Sequence, residues 1–240
     1  VTTEAGKPPK PIVFAYLEEP PFCFQSADGA VQGSDFELVT AVLSAMGIDR
    51  FEMRLAEFAE LLPGLVDGRW AITTPLFISP ERKNLVDFSR PVWALVDGLL
   101  VRSADGGRLT SYRALAAEAG ARLVVVANQV QEQTGLTAGI PNERIIRVGT
   151  QEDAVLMVKS GCADAYASVA MAHRGFLARQ PASDLAVVAI EGALPAGGAF
   201  AFAKSSTDFR ARFNLALQSV LGSTWHRSMM ARYGFAPEDF

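Results

Sequence analysis

Cysteine and histidine are scarce, with two of each in 240 residues. Cys23 and Cys162 lie far apart and form no disulfide framework; both are expected to be free and structural. Cys23 follows Pro20-Pro21-Phe22 with no nearby histidine to activate it. His173 and His226 stand near no cysteine or acidic cluster at metal-ligand spacing, so no zinc or other metal is expected. Basic excess is missing too. Lys and Arg number 22 against 26 Asp and Glu, a formal net charge of -4, which argues against nucleic acid as a partner. No apolar run approaches the roughly 18 to 20 residues that span a bilayer. There is no Gly-rich phosphate loop, since Gly106-Gly107 reads as a turn, and no cofactor is implied. Repeats of solenoid length and low-complexity tracts are absent. No signal peptide is visible; numbering starts at a valine, so an export signal is expected to be missing already from a mature-looking form.

What remains is an ordinary globular composition, 50% hydrophobic and 20% charged, enough for two domains of about 100 residues each. Residues 1–10, polar and proline-containing, are expected to lie loose on the surface. Beyond them strands and helices alternate. Ile12 to Leu17 is a strand running into Glu18-Glu19-Pro20-Pro21. Asp35 to Met46 carries Phe36, Val39, Val42, Leu43 and Met46 at helical spacing, and Gly47 stops it. Phe51 to Leu55 and Trp70 to Thr73 are strands around a short helix from Phe58 to Val66. Pro80 sits in the first turn of another helix.

The pattern restarts after Gly106-Gly107. Leu123 to Ala127 is a continuous apolar strand typical of burial on both faces. Val130 opens a helix. Strands at Ile145 to Val148, Ala163 to Ala167 and Leu185 to Ile190 alternate with helices at Gln151 to Ser160 and Val169 to Arg179. Extended segments around Gly98 to Arg102 and Ala199 to Ala203 read as crossovers. Helices from Asp208 to Leu221 and Thr224 to Tyr233 are expected to return to the first block. The class is α/β.

Several segments, in this order, carry a resemblance: Gly33-Ser34-Asp35-Phe36-Glu37-Leu38; Phe58 with Leu61-Leu62-Pro63; Ile78-Ser79-Pro80-Glu81-Arg82-Lys83; Val86-Asp87-Phe88-Ser89 with Pro91; and Gly161 to Ala165. The chain resembles the polar amino-acid family of periplasmic solute-binding proteins, over nearly its whole length. The resemblance implies a two-lobed, type II periplasmic-binding-protein-like fold with a double-strand hinge and a cleft between lobes. Lobe 1 would comprise 1–103 plus 204–240 and lobe 2 would comprise 104–203, with hinge crossings near Ser103 and Lys204. It implies a periplasmic monomer that passes a small molecule to the membrane permease of an ABC importer.

Taken alone, Arg82 reads as an arginine on a solvated helix face. The resemblance implies instead that it grips a ligand carboxylate, and a guanidinium's paired donors suit one. Two departures bear on the ligand. Phe77 stands five positions before the arginine, where the family usually has a small hydroxyl residue. Val169 stands five after Asp164, where an aspartate often holds an α-ammonium. Phe22, Phe58 and Phe77 would face the cleft, with Glu19 nearby and Glu18 as its substitute. That arrangement is similar to family members that bind ectoine and hydroxyectoine, where ring faces hold a diffuse cation. Core packing is the plain alternative for each phenylalanine. Asn128 and Gln129 fall where a helix start offers free amides to an anion, and Gln129 would add a donor. Trp93 could line the cleft, with packing the favoured reading.

The leading expectation is a binding protein without catalysis, for a carboxylate-bearing zwitterion or modified amino acid. An ordinary polar amino-acid binder is the first alternative. A dehydratase of the same fold acting on prephenate- or arogenate-like acids is the second, with Glu19 as general acid. A receptor's sensing domain is a third.

Overall fold

The computed structural model describes residues 11–180, 183–190 and 192–240, so the expected loose segment 1–10 lies outside the described residues. The first sheet begins with β1 (Val13–Tyr16). A small hairpin, β2 (Phe24–Gln25) and β3 (Val31–Gln32), follows, then helix α1 (Ser34–Ala45), β4 (Glu52–Leu55), α2 (Phe58–Val66) and β5 (Ile72–Phe77). Next come α3 (Pro80–Leu85), β6 (Val86–Phe88) and β7 (Trp93–Leu95). The second sheet draws on β8 (Asp97–Arg102), α4 (Tyr112–Ala117), β9 (Leu123–Val126), α5 (Val130–Thr137), β10 (Ile145–Val148) and α6 (Gln151–Lys159). It continues through β11 (Ala165–Val169), α7 (Ala170–Ala178) and β12 (Leu185–Ala189). The chain then returns through β13 (Ala196–Ala203), α8 (Thr207–Val220) and α9 (Thr224–Arg232).

The sheets are ordered β4-β1-β5-β13-β6, with β7 also on β13, and β10-β9-β11-β8-β12. β1, β4 and β5 are parallel to one another, as are β9, β10 and β11; β13 and β8 run antiparallel within their sheets. Each sheet is covered on both faces, so central strands are buried throughout: all of Leu123–Val126 and Ala165–Val169 is buried. α1 lays Leu38, Val39, Val42 and Leu43 on the first sheet, and α8 and α9 close the same core with Phe213, Leu217, Met229 and Met230. The return of the terminal helices to the first block is thus observed.

The crossings differ from those expected near Ser103 and Lys204. The chain leaves the first sheet between Leu95 and Asp97 and re-enters it between Ala189 and Ala196. Leu95 pairs with Ala196, and Gly98 with Ala189, so the two crossings run side by side. The segments taken for connectors are themselves sheet strands: β8 lies between β11 and β12, and β13 between β5 and β6. Gly106 merely ends a 3-10 turn, Ser103–Asp105.

Candidate ligand site

In a parallel sheet the carboxyl ends of strands open onto the crevice where ligands bind. Four such ends converge here. β1 leads to Glu19, β5 ends at Phe77, β9 leads to Gln129, and β11 ends at Ser168 and Val169. Together with Phe22, Asp35, Phe58, Thr74, Arg82 and Trp93 these residues line a narrow cavity between the sheets.

Arg82 is fixed by its local sequence. Ser79 caps α3, its hydroxyl accepting from the Arg82 amide at 3.3 Å, and Pro80 opens the helix. Arg82 is 7% exposed. Its Nη1 donates to the Phe77 carbonyl at 2.9 Å and its Nη2 to the Asn128 carbonyl at 3.1 Å, across the cleft. It also lies 5.3 Å from the centre of the Phe58 ring. No carboxylate pairs with it among the described residues. Burial pulls its pKa down to about 10, so it stays charged.

Two acids face the same cavity. Asp35, 2% exposed, accepts from the Thr74 hydroxyl at 2.7 Å. Burial pushes its pKa up to about 7, against the favourable Thr74 hydroxyl, and the Glu19 charge adds to the rise. Glu19 is partly buried and likewise pushed up to about 7 by burial, with the Ser168 hydroxyl opposing. Glu18 is engaged elsewhere: it accepts from the Gln25 amide at 3.0 Å and pairs with Arg179 at 3.5 Å, so Glu19 is the acid that lines the cavity.

Phe22, Phe58 and Phe77 all line the cavity. Phe22 is 5% exposed and packs on Trp93 and Phe235 at 5.9 and 5.8 Å between centroids, so it is part wall and part core. Trp93, for which packing is the favoured expectation over cleft lining, lines the cavity and meets Phe77 edge to face at 5.3 Å. Gln129 lines the site, and the amides of Val130 and Gln131 begin α5 with no carbonyl inside the helix to bind.

Asn128 departs from expectation. Its side chain is not part of the cavity wall; its backbone, turned to a φ of 68°, presents the carbonyl to Arg82 instead. Asp35, Thr74, Ser168 and Gln131 were missed as site residues. Asp35 stood within the Gly33-Ser34-Asp35 segment, but an acid in a helix's first turn is common for reasons of helix stability alone.

The family model for bacterial extracellular solute-binding proteins, family 3, matches residues 12–236. A probable amino-acid ABC transporter periplasmic-binding protein of Sinorhizobium fredii, y4tE, is 30% identical over 246 residues, covering 99% of this chain and 81% of that protein. EhuB in complex with hydroxyectoine superposes with a TM-score of 0.87 at 26% identity, over 94% of this chain and 88% of that one. The arginine-, lysine-, histidine-binding protein ArtJ of Geobacillus stearothermophilus gives 0.85 at 21% identity, over 95% and 97% of the two chains, a likeness that speaks to the fold alone. A match that takes in both sheets and the cleft between them leads to one conclusion: this chain belongs to family 3 of the bacterial extracellular solute-binding proteins, the small-molecule-binding components of ABC transporters.

Proposed function

We propose that the chain works as a periplasmic monomer and captures a small zwitterion whose positive charge is delocalised or alkylated, such as ectoine, hydroxyectoine or a betaine. One observation carries this reading. A buried guanidinium with no carboxylate partner among the described residues shares a cavity with two acids and aromatic walls. The ligand carboxylate bonds Arg82 and the first amides of α5. Its cation lies against Phe58, Phe77 and Trp93, at about 0.5 to 2 kcal/mol per desolvated ring contact. Glu19 and Asp35 balance the charge. Val169 offers a compact α-ammonium no side-chain acceptor, and an unpaired buried ammonium is costly. The likeness to EhuB bound to hydroxyectoine supports the same ligand class.

A plain α-amino acid is the second reading, and Asp35 favours it as an acid that could hold an ammonium. A thermal-shift panel separates the two, because a ligand that binds only the folded form raises its melting temperature. Ectoine, hydroxyectoine and betaines are expected to stabilise and the twenty amino acids are not; strong stabilisation by an amino acid alone would reject the delocalised or alkylated cation. Glu19 near pH 7 has a general acid's proton affinity. Incubation with prephenate and arogenate, read by chromatography, is expected to return both unchanged.

A further inference from the structure

The cavity does not end at Glu19. A second chamber adjoins it, sharing Glu19, Phe58 and Gln129 with the first and continuing between the sheets to Gln151 and Tyr166. Three side-chain atoms on its wall are buried without a well-formed hydrogen bond: Gln129 Oε1, Gln151 Nε2 and the Tyr166 hydroxyl, whose contacts to Gln151 and Ser168 are weak ones. Tyr166 is 0% exposed and Gln151 is 6% exposed. Buried polar atoms are nearly always well paired, so three under-satisfied ones around one chamber leave hydrogen-bonding capacity for a guest. Tyr166 lies beside Gln151 and Ser168, and Ser168 beside Glu19, which makes a polar row from one chamber to the other. Burial holds the phenol well above its ordinary pKa, so it remains a donor.

We propose that this chamber is a subsite for a hydroxyl group on the zwitterion, with Tyr166 and Gln151 as specificity-determining residues. The inference rests on the ligand class proposed above. A hydroxyl has one proton to donate and two lone pairs to accept. The wall offers the complement: the Gln129 oxygen to accept, the Gln151 amide and Tyr166 phenol to donate. Turning Gln151 end for end still leaves a donor and an acceptor facing inward, and turning Gln129 leaves the phenol oxygen as the acceptor. An ammonium would leave the two donors unmet, and a ketone would leave the acceptor unmet. A second carboxylate would face Glu18, Glu19, Glu57, Glu60 and Glu152, with no lysine, arginine or histidine among the described residues of the chamber wall. When the ligand lacks the hydroxyl, a water takes its place and binding persists at lower affinity.

The test uses matched pairs by calorimetry: ectoine with hydroxyectoine, and γ-butyrobetaine with carnitine. The hydroxylated member of a pair that binds is expected to be at least about tenfold tighter. Tyr166→Phe and Gln151→Leu are each expected to shrink that gap to about threefold or less, with the unhydroxylated affinity held within about twofold. Tyr166→Phe removes one under-satisfied atom and keeps the ring, so its melting temperature serves as the folding control. Equal affinity within each pair, or a gap that both variants leave intact, would overturn the subsite while sparing the ligand class. Failure of all four compounds to bind would reject the ligand class, and the subsite with it.

Discussion

Arg82 is buried at a cost that its two carbonyl partners only partly offset, because neither carries the opposite charge. Arg82→Ala is therefore expected to weaken binding of a stabilising zwitterion by about 2 to 5 kcal/mol in calorimetry, with the fold intact. Unchanged affinity would remove the carboxylate clamp. Glu19 and Asp35 set the pH response. Their folded-state pKa values, near 7, lie above the ordinary carboxyl values of about 4. The folded state thus binds protons more readily than the unfolded one. Their penalty is full above pH 7 and is relieved as pH falls towards about 4, so the ligand-free protein gains stability over that window. Binding a cation runs the other way, since it needs the ionised acids, and affinity should drop as pH falls through about 7. Glu19→Gln is expected to raise the melting temperature at pH 8, flatten its pH dependence and weaken betaine binding. A steeper pH dependence in the variant would contradict the assignment. Arg82 and the three phenylalanines line the cavity where the family resemblance implies, although neither spacing nor periodicity alone would separate them from a surface arginine and core rings. Asp35 was not, because its role depends on Thr74, distant in sequence and adjacent only in the fold.

The elements that hold the site are strand ends, and their order followed from alternating apolar runs and glycine stops. The hinge strands were harder to read. Gly98–Val101 and Ala199–Ala203 are short apolar runs, and a run of that length is a connector or a central strand according to partners the sequence does not name. Partner strands make β13 part of the site's support. Gly198 lies beneath Trp93, and a Cβ there would fall 2.0 Å from the indole. Gly198→Ala must displace either the strand or the ring that walls the cavity. Overpacking of this kind costs about 1 to 3 kcal/mol. The expected outcome is a lower melting temperature, weaker zwitterion binding and altered tryptophan fluorescence. A variant that matches the wild type in all three would show that Trp93 is not held by this contact.

Across the whole molecule the two lobes touch around the cavity. Arg82 reaches the Asn128 carbonyl, Arg179 reaches Glu18 and the Gln25 carbonyl, and Gly175 of α7 abuts Pro20. A Cβ on Gly175 would lie 2.5 Å from the Pro20 carbonyl oxygen, so a larger side chain wedges the lobes apart. Gly175→Val is expected to leave each lobe folded, raise the radius of gyration in solution scattering and lower zwitterion affinity by about tenfold or more. Wild-type affinity in that variant would mean that capture does not need closure. Closure excludes water, and it is in that dry space that ring faces and acids distinguish a diffuse cation from a compact ammonium. The direct measurement is calorimetry of pairs alike in their carboxylate and different only in N-methylation: glycine with glycine betaine, and proline with proline betaine. The methylated member should bind at least about tenfold more tightly. Tighter binding of glycine or proline would contradict the account, because some side chain in the cleft would then be holding an ammonium.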